Sequence, residues 1–179
     1  MKAYADTSFL VRLAIHEQGS EEAMAEFRRL DFPRLVFLPL HALEVANSIR
    51  QRAFHQRQTA GGTARTAIRR ERDSALGRIE RWLGRGWLLD AVADTDAAFA
   101  RARVLSESHT EQLGCRGFDL LHVAFALELK AELFLTADRI QGELARAEGL
   151  IVTITGSRPV ARAGRRATRV RVSGPIRPT

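Results

Sequence analysis

The stretch Gly117 to Asp138, GFDLLHVAFALELKAELFLTAD, decides the fold. Phe118, Leu120, Leu121, Val123, Ala124, Phe125, Ala126, Leu127 and Leu129 run round nearly every side of a helix. A helix with no polar face has to be buried on most sides. Its first turn nevertheless carries Asp119, with His122 three residues on and therefore on the same side. That puts an acid where burial makes it expensive. A short strand follows at Leu133 to Leu135, ending in Thr136 and Asp138. The carboxyl end of a strand is the edge of an open α/β sheet where ligands bind. Two carboxylates converging there need either protons or a cation, whereas each alone is also explained as a cap favourable to the helix dipole.

Outward from that stretch, strands and helices alternate. Lys2 to Ala5 reads as a strand running into Asp6, Thr7 and Ser8, then a helix from about Phe9 to Ile15. A second helix, about 20 to 30, has Ser20 as its expected cap. Leu35 to Leu38, between Pro33 and Pro39, is an apolar run of strand length. In the helix after it, about 40 to 55, Ala42, Val45, Ala46, Ile49 and Ala53 make the expected core stripe, and Glu44 lies in the first turn. Gly61-Gly62 marks a turn, and the arginine-laced helix of about 66 to 83 is either a solvated face or an arm for RNA or a partner. A third strand at Trp87 to Leu89, a helix from about Ala97 capped by Asp94 or Asp96, a helix over 139 to 148 and a last strand at 150 to 154 complete the pattern. Such alternation predicts an α/β fold, a central parallel sheet with helices on both faces.

The chain has 179 residues and a net charge of +7, and the charge is unevenly placed. Seven of the 28 basic side chains and none of the 21 acidic ones lie from Gly156 to Thr179, so residues 1–155 are balanced. The expected organisation is one domain over 1–155 and a basic tail over 156–179, disordered because it has too little apolar surface to offset ordering entropy. One cysteine, Cys115, excludes an intrachain disulfide and a cysteine-based zinc site. No signal peptide and no apolar run of about 18 residues is visible, so a soluble, cytoplasmic protein away from membranes is expected.

Four acids stand at comparable places: Asp6 after the first strand, Glu44 in the turn after the second, Asp119 opening the buried helix and Asp138 after the fourth strand. In a parallel sheet those ends face one way, and four carboxylates that close cannot all ionise without a compensating cation. Oxygen ligands with no cysteine or histidine cluster point to Mg²⁺ or Mn²⁺, which support in-line displacement at phosphorus. Asp90, Asp94 and Asp96 are rival acids more simply read as a strand end and a helix start. His122 can hold a water or a carboxylate, or be a hydrogen-bonded core histidine.

Asp6-Thr7-Ser8 followed by Phe-Leu-Val, Glu44 on its helix, the Asp119 helix with Leu-His-x-Ala-x-Ala, and Leu-Thr-Ala-Asp138-Arg together resemble the PIN-domain ribonucleases, above all the toxins of VapBC toxin–antitoxin pairs. The resemblance covers roughly residues 1–155. It implies a three-layer α/β/α PIN-like fold, hydrolysis of RNA phosphodiesters, and an acidic quartet of Asp6, Glu44, Asp119 and Asp138 holding one or two Mg²⁺ or Mn²⁺ ions. It further implies support from Thr7, Ser8 and Thr136, a homodimer, and a small cognate antitoxin that blocks the site. The arginine tail departs from the family pattern. A haloacid-dehalogenase-like phosphotransferase needs a second aspartate where Ser8 stands. The reading from another class is a catalytically inactive RNA-binding or regulatory domain that uses the tail.

Overall fold

A computed structural model describes residues 2–156. The expected basic tail, beyond Gly156, lies outside the described residues. Five strands, β1 (Ala3–Ala5), β2 (Leu35–Phe37), β3 (Leu88–Asp90), β4 (Leu133–Thr136) and β5 (Ile151–Ile154), form one sheet in the order β3-β2-β1-β4-β5. Every pairing is parallel. The helices are α1 (Thr7–Ala14), α2 (Ser20–Arg29), α3 (Pro39–Gln58), α4 (Gly62–Gly84), α5 (Thr95–Leu113), α6 (Gly117–Glu128) and α7 (Arg139–Ala147).

Strand side chains alternate between two cores, as the two-residue period requires. Ala3, Ala5, Leu35, Phe37, Leu133 and Leu135 join Phe9, Leu10, Phe27, Ile49 and Ile79 on one face. Tyr4, Val36 and Phe134 join Ala98, Leu105, Val123, Phe125 and Leu144 on the other. The sheet thus lies between α1–α4 and α5–α7, a three-layer α/β/α architecture. β1, β2 and β4 are buried throughout, which is why they read as unbroken apolar runs.

Helix α6 is buried from Asp119 to Ala126, as its lack of a polar face demands. It ends in a Schellman motif: Ala131 N–H donates to Ala126 O and Lys130 N–H to Leu127 O, each at 2.9 Å, with Lys130 in the left-handed region at φ 54°. The chain therefore reverses directly into β4. Reversal returns the start of α6, and Asp119 with it, to the sheet edge where the parallel strands end. The strand order turns around between β1 and β4, the switch point at which open α/β sheets bind ligands. Beside α6, α7 approaches β5 so closely that a Cβ at Gly142 would overlap Ile154 Cδ1.

Three local expectations are corrected. Ser20 does not cap α2; the cap is Gly19 in a left-handed conformation, and the Ser20 hydroxyl donates to Ile15 O at 2.8 Å, tying α2 back to the end of α1. Ala42 is exposed, and the core stripe of α3 is His41, Val45, Ile49 and Ala53. Helix α4 begins at Gly62 rather than near Thr66.

His41 belongs to that stripe because both ring nitrogens have backbone partners. Nδ1 accepts from Leu38 N–H at 3.0 Å, so the proton sits on Nε2 and is donated to Ala5 O at 2.9 Å. Burial first, then the proximity of His122, lowers its pKa from the usual 6.5 to about 3. Between those values the unfolded chain takes up a proton that the native protein does not, so stability falls as pH falls, by at most about 1.4 kcal/mol per unit. In His41→Gln the amide can serve the same two partners without titrating. Urea unfolding between pH 7 and 4 is expected to show a steeper loss for the wild-type protein than for His41→Gln. Equal slopes would refute this account.

Candidate active site

Asp6 follows β1 directly and forms the floor of the site. Its side chain is fully buried. As the cap of α1 it accepts from Phe9 N–H at 2.9 Å. The Ser8 hydroxyl donates to both carboxylate oxygens, at 2.7 and 2.8 Å, and Thr136 Oγ1 donates at 2.7 Å. Those two hydroxyls in turn accept from Ala137 N–H and Asp138 N–H, each at 2.8 Å. The three expected supporting residues are thus divided, with Ser8 and Thr136 serving Asp6, and Thr7 serving Glu44. Burial pushes the Asp6 carboxyl above the usual aspartate range, against the opposing pull of His122 and these hydrogen bonds.

Glu44 lies in the second turn of α3 rather than the expected first, because the helix already begins at Pro39, and it is held by two partners. Thr7 Oγ1 donates to Oε2 at 3.0 Å, and His122 Nε2 lies 2.5 Å from the same oxygen. A carboxylate only accepts, so Nε2 carries the proton on that side. Nδ1 of His122 meets the Tyr4 hydroxyl at 2.9 Å. The Tyr4 phenol is held protonated, its pKa raised by burial and then by Asp6 and Glu44. The hydroxyl can meet Nδ1 as donor or, through its oxygen, as acceptor. Burial alone would raise the Glu44 pKa, but the hydrogen bond and charge of His122, with the Thr7 hydroxyl, bring it below the usual range. Both readings of His122 hold at once, since the ring is buried in the core and grips a carboxylate of the site.

Asp119 is buried at the third position of α6 and closes half of a capping box, accepting from Arg116 N–H at 2.8 Å. Arg116 Nε reaches Oδ2 at 3.1 Å and Nη2 reaches Oδ1 at 3.3 Å. Gln141 Nε2 donates to Oδ1 at 3.0 Å. Asp138 caps α7 through Ile140 N–H and Gln141 N–H, at 2.8 and 3.2 Å, and its Oδ2 receives Arg116 Nη2 at 3.4 Å. The capping expectation therefore holds for Asp138, whereas Asp119 lies inside α6, whose N-cap is Arg116. Each aspartate serves a helix start, and each also faces the same guanidinium.

Glu44, Asp119 and Asp138 line one cleft of about 1050 Å³, together with Thr7, Ser8, Arg116, His122 and Gln141. Arg12, Arg103, Phe99 and Phe118 line it too. Asp6 lies beneath, reached through Ser8. The rivals lie elsewhere: Asp94 caps α5 by accepting from Ala97 N–H at 2.9 Å, and neither Asp90 nor Asp96 lines the cleft. No group of three His, Cys, Asp or Glu side chains among the described residues is drawn close enough to form a ready metal cluster. The donor chemistry nevertheless suits a hard divalent cation, being carboxylate oxygen throughout. Gln141 Oε1 adds a buried oxygen without a hydrogen-bond partner beside Asp119.

Sequence reasoning passed over Arg116, Gln141, His41 and Tyr4. Gln141 follows Asp138 by three, the spacing of an ordinary capping box. Only folding shows that its amide reaches Asp119 instead. Arg116 had a usable signal, because an arginine just before a helix opposes the dipole and has no acceptor with which to cap.

A family model described as PIN domain matches residues 3–147. Among solved structures, the crystal structure of PAE2754 from Pyrobaculum aerophilum is similar with a TM-score of 0.49 and 16% identity, over 85% of this chain and 89% of that one. No protein of curated function matches.

Proposed function

Because the chain belongs to the PIN domain family, generally a nuclease fold, we propose that it is a metal-dependent endoribonuclease that hydrolyses RNA phosphodiesters. The observation that carries this reading is the convergence of Glu44 from α3, Asp119 from α6 and Asp138 from the cap of α7 on one cleft above Asp6 at the switch point of the sheet. Asp6, Glu44, Asp119 and Asp138 are the residues that would hold Mg²⁺ or Mn²⁺. Bound there, such an ion supplies an activated water and neutralises charge at phosphorus. The chain's own residues do the rest. His122 and Thr7 keep Glu44 ionised and aimed, while Ser8 and Thr136 fix the orientation of Asp6. Arg12 and Arg103 in the cleft offer cationic contacts for phosphates. Phe99 and Phe118, each about half exposed at 53% and 51%, offer faces on which unpaired bases can stack.

Within the family, the motif run Asp6-Thr7-Ser8, Glu44, Asp119 and Asp138 favours the toxin of a VapBC-type pair, acting in the cytoplasm as a homodimer and restrained by a cognate antitoxin. No helix among the described residues is long and apolar enough to cross a membrane.

The test is cleavage of structured RNA, including transfer and ribosomal RNA, by protein freed of copurifying partners, with Mg²⁺ or Mn²⁺ and with EDTA. Metal-dependent cleavage lost in EDTA is expected. RNA binding without cleavage in either metal would instead favour the alternative, a catalytically inactive RNA-binding domain.

A further inference from the structure

We propose that Arg116 is the resident counter-cation of the acidic cleft and a phosphate-positioning residue. Its guanidinium pairs with Asp119 and Asp138 in the metal-free protein, yields them to a divalent cation, and is thereby released toward the phosphodiester of a bound RNA. This rests on the ribonuclease reading above.

The first support is the imbalance between the partners. The Arg116 side chain is 75% exposed, and Asp119 is 3% exposed. The carboxylate is fixed and the guanidinium is the part free to move. Only the guanidinium half of the pair is open to solvent, so a second cation can approach the carboxylate from that side and take its place.

The second support is redundancy. Asp119 keeps a backbone bond from Arg116 N–H on Oδ2 at 2.8 Å and the Gln141 amide on Oδ1 at 3.0 Å after the guanidinium leaves. Asp138 keeps both of its bonds to the start of α7. The side chain of Arg116 is therefore not what places either acid.

The third support is the position of Arg116 at the start of α6. It is the N-cap residue and makes no side-chain cap hydrogen bond there. A cation at that point is opposed by the helix dipole, so helix stability gives no reason for an arginine. The two carboxylates give one. Nη2 spans from Asp119 at 3.3 Å to Asp138 at 3.4 Å, two of the acids that would hold a cation. The planar fork of arginine is also the side chain best matched to a phosphate, which makes it suited to both partners in turn.

The test is Mn²⁺ titration of partner-free, RNA-free protein, followed by electron paramagnetic resonance, for wild type, Arg116→Ala and Arg116→Lys, with circular dichroism as the check on folding. Competition predicts that Arg116→Ala binds Mn²⁺ about tenfold more tightly, the order set by removing a unit charge from beside a divalent ion at near-aqueous screening. Arg116→Lys is expected to fall between. At saturating Mn²⁺, Arg116→Ala is expected to cleave RNA with a raised KM that Arg116→Lys partly restores. Unchanged or weaker Mn²⁺ binding in Arg116→Ala would overturn the proposal, leaving Arg116 as a mere buttress of Asp119. Wild type and variant both failing to bind Mn²⁺ would overturn the metal-dependent reading together with it.

Discussion

Asp119→Asn is expected to lower RNA cleavage roughly 10³-fold while leaving the fold intact. The loss follows from the charge. A metal-binding carboxylate contributes several kcal/mol of stabilisation where charge develops, and each 1.36 kcal/mol is a factor of ten in rate. The fold is expected to survive because asparagine keeps the local bonds. Its Oδ1 can still accept from Arg116 N–H, and its Nδ2 can donate to the Gln141 oxygen that is unpartnered beside Asp119. The substitution removes an acceptor from one side of Gln141 and supplies a donor, which the amide meets by turning over. Initial cleavage rates in Mn²⁺, with thermal unfolding of the same samples, measure both effects. Asp90→Asn is the matched control: Asp90 is exposed at the end of β3 and away from the cleft, so its rate should stay within a few-fold of wild type. A wild-type rate for Asp119→Asn would remove the buried acid from the chemistry.

His122→Ala should destabilise the protein by about 3–5 kcal/mol, through a cavity in the core and a Tyr4 hydroxyl left buried without its partner. The ring also packs 5.1 Å from His41 and 5.9 Å from Tyr4, so its removal opens one aromatic cluster directly beneath the cleft. In a domain of this size that corresponds to a fall in Tm of roughly 10 °C. Cleavage should fall as well, by about 10–100-fold, the usual effect of losing a residue that orients a ligand. Glu44 loses the partner that lowers its pKa, so the acid limb of the rate profile should move to higher pH. Urea unfolding and a pH–rate profile separate the two consequences. A loss below 1 kcal/mol would mean that the Tyr4–His122–Glu44 chain is not what joins core to site.

The elements most legible in the sequence were those whose burial is one-sided or total. The runs at Leu35 and Leu133 had to be strands inside a covered sheet, and the helix from Gly117 had to be buried, because no other packing removes that much apolar surface from water. Where the apolar pattern was interrupted by a polar residue with a distant partner, reading failed. An apolar count puts Ala42 in the core stripe of α3 and omits His41, because a histidine breaks it. The structure buries His41 through the carbonyl of Ala5, which is 36 residues away in sequence. Ser20 misled in the same way, since its hydroxyl serves Ile15 rather than its own helix.

The sequence by itself determined the alternation of elements, the parallel sheet and the positions of Asp6, Asp119 and Asp138 at strand ends and helix starts, with Glu44 one turn further into its helix than the apolar pattern predicts. Those features depend on periodicity and on neighbours a few residues apart. Only the tertiary structure decided what each acid touches. Asp6 lies on the floor, held by Ser8, Thr136 and the start of α1, and Glu44 is gripped by His122. Asp119 and Asp138 share one arginine, and Gln141 turns from its own helix to Asp119. The reason is physical. A hydrogen bond or ion pair between residues far apart in the chain leaves no periodic trace, because its energy depends on an approach that exists only once both faces of the sheet are packed.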